Sequence, residues 1–228
     1  MYWLSLKNFI DFRLRSWFRW ATPGPFSSFQ LAQDKKLREE VGEFLQAFPW
    51  DYVADRPHLR IVDIGAKNFF LAPFIVRHFQ SLGFRPEVVG IEIDPYRRYL
   101  DFKTRAQYAQ YYAEKAGPAR YFPHDFLQFD ECFDFAFLLN PFLTPRPLLA
   151  WGLSFHEFCP AALFAHVEKK LAPGGRVILS CPTAEELRDG LNLAKQHRLD
   201  MVSQVTWRPR RNSVQKQPRF GALLVRSY

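Results

Sequence analysis

Four short polar clusters in this sequence each follow an apolar run, and their residue types can bind and orient a ligand. They are Asp63-Ile64-Gly65-Ala66, Gly90-Ile91-Glu92-Ile93, His124-Asp125 and Asn140-Pro141-Phe142. An acid inside a Val/Ile run, such as Glu92, needs a hydrogen-bond partner, because an unpaired buried carboxylate is heavily penalised. Two hydroxyls of a ribose would satisfy it. Asp63 reads either as a tie for its own loop or as a contact to a ligand that approaches the backbone at Gly65. Asp125 is either turn chemistry or an acceptor, and His124 beside it either a base or a structural histidine. Asn140-Pro141-Phe142 is the polar exit of the fourth apolar run, where Pro is ordinary punctuation.

Other chemistries lack their signatures. Cys132, Cys159 and Cys181 are widely spaced and form no CxxC or Cys/His cluster, so neither a disulfide framework nor a metal site is expected. G-x-G-x-x-G is missing after the first apolar run, which argues against nicotinamide binding. No nucleophile elbow is visible.

The clusters are useful only if the fold brings them together, and the elements between them say how. HLRIVDIG reads as a buried strand, FFLAPFIVRHFQSLG as a helix closed by Gly83, and EVVGIEID as a second strand. PYRRYLDFKTRAQYAQYYAEKAG is predicted as one long helix, with Asp94 as N-cap and Pro95 at its first position, so that Tyr96, Arg97, Arg98 and Tyr99 open it beside the pocket. ARYFPHDF and CFDFAFLLNPF are the third and fourth strands. The stretch FLTPRPLLAWGLSFHEF, with Trp151, Phe155 and Phe158, is either a lid or a short packed helix. EFCPAALFAHVEKKLAPGG is a helix and RVILSCP a fifth strand. TAEELRDGLNLAKQHRL is a helix capped by Thr183 with Glu186 three residues on. MVSQVTWRP and RFGALLVRSY have no helix between them and should pair as a hairpin. Such alternation implies parallel crossover units, with ligands at the carboxyl ends of the strands.

The 228 residues suffice for one full core plus an extension. An N-terminal helical extension is expected over 1–48, with a second helix from about Gln33 to Phe48, and an α/β domain over 49–228. Within 1–20, Trp3, Leu6, Ile10, Leu14 and Trp17 form one apolar stripe among basic residues. It fits packing on the domain better than a membrane surface, although peripheral membrane contact stays open. That start is too charged for a signal peptide, and no apolar run reaches membrane-spanning length; a cytoplasmic protein is expected. The net charge of +8 is concentrated in 1–20 and in 207–219, where Arg208, Arg210, Arg211, Lys216 and Arg219 have no acid among them. A solvated loop is the first reading of that second segment, phosphate contact the second.

The series VDIGA, VVGIEID, HDF, FDFAFLLNPF and KKLAPGGRVILS, in this order, is similar to the class I S-adenosylmethionine-dependent methyltransferases over about Leu59 to Cys181. The resemblance implies a doubly wound, mostly parallel seven-stranded sheet with a terminal antiparallel hairpin. It implies S-adenosylmethionine as cofactor, held by Asp63, Gly65, Ala66, Lys67, Glu92, Ile93, Asp125 and Asn140. Asp63 and Gly65 would meet the methionine part, Glu92 the ribose, and Ile93 and Asp125 the adenine. The resemblance puts Asn140, Pro141 and Phe142 on the substrate side, where Asn140-Pro141-Phe142 is one proline short of the Asn-Pro-Pro-aromatic motif of amino-group methyltransferases. One departure matters: Lys67 and Phe69 stand where the family's first motif has its second and third glycines. Either the loop takes a different path, or the cofactor's approach is obstructed. The expected function is methyl transfer to a small or medium-sized acceptor. A non-catalytic relative used for binding or assembly is the alternative, nucleic acid is a second choice of partner, and the oligomeric state is left open.

Overall fold

A computed structural model describes residues 26–50 and 57–227. The predicted amphipathic helix of residues 1–20 lies outside the described residues.

The chain builds β1 (His58–Ile64), β2 (Arg85–Ile91), β3 (Ala119–Phe122), β4 (Phe133–Leu139), β5 (Leu171–Cys181), β6 (Leu199–Trp207) and β7 (Arg219–Arg226). They form one sheet in the order β3-β2-β1-β4-β5-β7-β6. The first five strands run parallel, and β7 is inserted antiparallel between β5 and β6. The predicted hairpin is therefore present, and its second strand also closes the sheet against β5. β1 and β2 are buried along most of their length, as expected of strands covered on both faces.

The connections are α1 (Ser28–Gln46), α2 (Ala72–Ser81), α3 (Arg105–Ala116), α4 (Pro145–Ala150), α5 (Pro160–Lys170) and α6 (Ala184–Gln196). α1 starts earlier than expected because Ser27 caps it, accepting from the Gln30 N–H. Val41, Phe44 and Leu45 of α1 join Ile75 and Phe79 of α2 and Tyr108 and Tyr112 of α3 on one face of the sheet. α5 and α6 cover the other face around Phe164, Val167 and Leu187. Much of the abundant phenylalanine is core: Phe44, Phe69, Phe79, Phe133, Phe135, Phe137 and Phe164 are fully buried.

The largest departure from expectation is the helix after β2. It begins at Arg105, not at Pro95, because Thr104 and Gln107 form a capping box there. Residues 95–104 instead make a loop at the carboxyl edge, closed by a bridge between Arg98 and Thr104. β5 also starts earlier than expected, absorbing Leu171 to Gly175. Strand order reverses between β1 and β4, which opens a crevice at the carboxyl ends of the parallel strands.

Candidate functional site

The loop after β1 takes left-handed backbone at three alternate positions, only one of which is a glycine. Gly65, Lys67 and Phe69 all take left-handed φ angles, +77°, +52° and +60°. For a residue with a side chain that conformation costs about 1–2 kcal/mol, so something must hold it. The Gly65 and Ala66 N–H groups both donate to the Ile91 carbonyl at 2.9 Å, and the Lys67 N–H donates to Glu92 Oε2 at 2.8 Å. Asn68 Nδ2 donates to Asp34 of α1 at 2.7 Å. The Phe69 ring is fully buried over Gly90, where a Cβ would lie 2.4 Å from the ring. The obstruction expected of Phe69 is therefore absent, since its side chain fills the core. Of the two, Lys67 and not Phe69 lines the crevice.

Glu92 is the hub of the site. Its Oε2 accepts from the Lys67 N–H; its Oε1 accepts from the Asp94 N–H at 2.8 Å and from Arg105 Nη1 at 3.1 Å. A carboxylate has about four lone-pair sites, so one direction on Oε2 remains for a ligand, one fewer than two ribose hydroxyls ask for. Asp94 does not cap a helix. It is buried and pairs with Arg97 at 2.6 Å and Arg105 at 3.8 Å. Lys67 Nζ and the Arg97 and Arg105 guanidinium groups gather on the Trp151 ring at 5.2, 5.4 and 4.7 Å. Burial, with Arg105 nearby, lowers the Lys67 ammonium below the usual lysine range. Under the same loop, burial and then the Glu92 charge push the Asp63 carboxyl up to about 7.

A cavity of about 370 Å³ runs along these strand ends, within the size range of small-molecule sites. Of the residues expected from the sequence, Gly65, Lys67, Glu92, Ile93, Asp125, Asn140, Pro141 and Phe142 line it. Asp63 and Ala66 are buried beneath it. Asp125 accepts from the Leu127 N–H at 3.0 Å and starts a short 3-10 turn, as the turn reading of that residue expects. Asn140 takes a left-handed φ of +59°, and its Oδ1 lies 3.5 Å from Arg219 Nη1. His124 is exposed, its ring 5.0 Å from that of Phe122, and does not line the cavity.

In the stretch after β4, α4 buries Leu148 alone and the 3-10 turn at Phe155–Glu157 is exposed. Trp151 between them lines the cavity. Phe142 packs edge-on against Trp151, whose carbonyl also accepts from Arg97. Sequence reasoning missed Arg105, which completes the ion pairs on Glu92, and Asp34, which ties α1 to the loop. For Arg105 a signal existed: Thr104-x-x-Gln107 is a capping box and places a helix start there. Asp34 gave none, because only the tertiary fold brings Asn68 and Tyr112 to it.

No protein-family model matches the chain, and no curated protein sequence matches it. Solved structures do. A Listeria monocytogenes protein described as a class I S-adenosylmethionine-dependent methyltransferase superposes with a TM-score of 0.62 at 12% identity, over 88% of this chain and 67% of that one. A methyltransferase from Pyrococcus furiosus gives 0.56 at 16% identity, covering 84% and 83%. Magnesium protoporphyrin IX methyltransferase from Synechocystis, solved with S-adenosylmethionine bound, gives 0.54 at 16% identity, covering 92% and 89%. The fold of this chain is that of the class I methyltransferases.

Proposed function

We propose that this chain transfers a methyl group from S-adenosylmethionine to an acceptor held at the mouth of the strand-end cavity. The observation that carries this reading is the loop at 65–69. It keeps left-handed backbone at three alternate positions, two of them against the preference of their side chains, and is clipped to Glu92 beside the cavity. Strain of that kind persists only where the surroundings hold it, and it concentrates at ligand sites.

The residues present fit the cofactor. Asp63 is a buried carboxyl with no cation in contact among the described residues; it does not line the cavity, so a shift of the Gly65 loop has to open it to the amino group of a methionine. Lys67 brings a half-buried ammonium to the cavity, which suits its carboxylate. Glu92 has one acceptor direction left for a ribose hydroxyl, and Ile93 and Asp125 lie together for an adenine ring. When bound, S-adenosylmethionine supplies a methyl group on a sulfonium centre. The chain has then to hold the acceptor in line and exclude water. Trp151, Phe142 and Leu153 supply an apolar cover for that. Asn140, beside Pro141 and Phe142, offers an amide where the acceptor enters, oriented by Arg219.

Calorimetric titration of the full chain with S-adenosylmethionine and S-adenosylhomocysteine tests the reading. Micromolar binding by wild type, weakened at least about tenfold in Glu92→Gln and in Asp125→Ala, is the expected result, tenfold being 1.4 kcal/mol. Two variants are used because Glu92 also supports Arg105. No binding at millimolar ligand by the folded wild type would overturn the reading in favour of a non-catalytic relative.

A further inference from the structure

We propose that the loop between β6 and β7 holds the phosphate backbone of a single-stranded nucleic acid and presents it to the cavity mouth. The inference rests on the methyltransferase reading for the consequence, that the acceptor is a nucleotide of that strand, but not for the binding itself.

Arg208, Arg210, Arg211 and Lys216 are all exposed, and no acid stands among them. The loop that carries them is not loose. Glu40 of α1 is buried, and its carboxylate accepts the N–H groups of Val214 and Gln215. Ser213 is buried beside them, and Arg210 rests 3.2 Å from Glu43, one turn further along α1. A buried acid is thus committed to the backbone of a loop whose side chains are cations facing outward. One helical turn before Glu40, on the same face, α1 exposes Lys36. A merely solvated hairpin loop has no need of such anchoring.

The position of the loop supplies the link to the site. β7 runs antiparallel to β5, so its first residues lie at the carboxyl end of the parallel strands, where Cys181 faces Phe220. The loop therefore rises from the same edge as the cavity. Its root is Arg219, paired across the hairpin with Trp207. That guanidinium bonds to Ser180 at 2.9 Å and reaches Asn140, which lines the cavity. A backbone lying along the loop places its next nucleotide at the cavity mouth. Trp151 and Phe142 line the cavity, whose volume of about 370 Å³ accommodates one base, and a base reaches such a site only when it is out of a duplex. That geometry selects a single strand.

Single-strand binding loses about 0.7 in the logarithmic salt slope per phosphate contact. Four exposed cations give a slope of about −3, hence roughly fiftyfold weaker binding between 50 and 200 mM salt. The test is fluorescence anisotropy of the full chain with a 15-nucleotide oligo(U), an oligo(dT) and a duplex of equal length. Wild type and the Arg208→Gln/Arg210→Gln/Arg211→Gln variant are compared across that salt range. The expected result is binding of the single strands at least tenfold tighter than the duplex, with the variant's slope smaller by about 2. Oligo(U) against oligo(dT) tells an RNA from a DNA preference. Equal slopes for wild type and variant, tighter duplex binding, or stronger retention on phosphatidylserine vesicles than on the oligonucleotides would each overturn the proposal. Titration with S-adenosylmethionine keeps the two readings apart. Salt-dependent strand binding without cofactor binding sinks the methyltransferase reading alone; cofactor binding with no effect of the triple variant on strands sinks only this one.

Discussion

Replacing Asp63 with Asn should make the unliganded protein more stable, and more so as the pH rises. Asp63 is 2% exposed, and burial with the Glu92 charge pushes its carboxyl up to about 7 from 3.8. The folded state therefore holds a proton there over a pH range in which the unfolded chain has lost it. Where the native state binds more protons, stability falls with rising pH. The loss runs from about pH 4 to pH 7 and then levels off, at up to about 1.4 kcal/mol per pH unit. Across some three units that is about 4 kcal/mol, an upper figure, since buried sites relax around a charge. Asn has the same shape and never ionises. Urea denaturation of both proteins, without ligand, at pH 4.5 and pH 8 isolates the effect, because titrations elsewhere cancel in the difference. Asp63→Asn should be more stable by no more than about 1 kcal/mol at pH 4.5, and by about 2–4 kcal/mol at pH 8. A gap that does not widen between the two pH values would refute the assignment of a strained carboxyl. The stabilised variant should also lose cofactor binding, as is common where a site trades stability for function.

The same carboxyl predicts that S-adenosylmethionine binds more tightly from pH 5.5 to 7.5, by up to about tenfold per unit. A cationic group would hold Asp63 ionised, so a proton should be released, visible in calorimetry across buffers of different ionisation heat. Lys67→Met should weaken S-adenosylmethionine about tenfold, the scale of one charge-assisted bond, and leave methylthioadenosine, which lacks the carboxylate, unchanged; equal losses for both ligands would refute the assigned contact. Gly90→Ala drives a Cβ into the Phe69 ring and should cost about 1–3 kcal/mol. Adding Phe69→Leu should recover part of that, so strictly additive losses in urea would contradict the packing described. Glu40→Gln should leave the cavity intact yet speed tryptic cleavage within 208–218, because two backbone N–H groups lose their carboxylate.

The sequence by itself determined the layer order and the edge at which the site lies. Apolar runs of strand length alternating with longer amphipathic segments admit few topologies, and every polar cluster followed a strand, so Gly65, Glu92, Asp125 and Asn140 had to converge. It also located the hairpin, since no crossover segment separates the last two strands. Local signals were misread where a competing one was stronger: the helical pattern of 95–117 concealed the capping box at Thr104. Only the tertiary structure decided what Lys67 and Phe69 do. Spacing marked both as intruders in a glycine motif, yet left-handed backbone at both turns one ring into the core over Gly90 and the other side chain into the cavity. That outcome depends on Ile91, Glu92 and Asp34, residues 22 or more positions away in the chain, and no local pattern encodes it. The anchoring of the basic loop by Glu40 is of the same kind. Charge along the chain marked the patch, but the buried acid that fixes it lies 174 residues earlier, and only folding brings the two together.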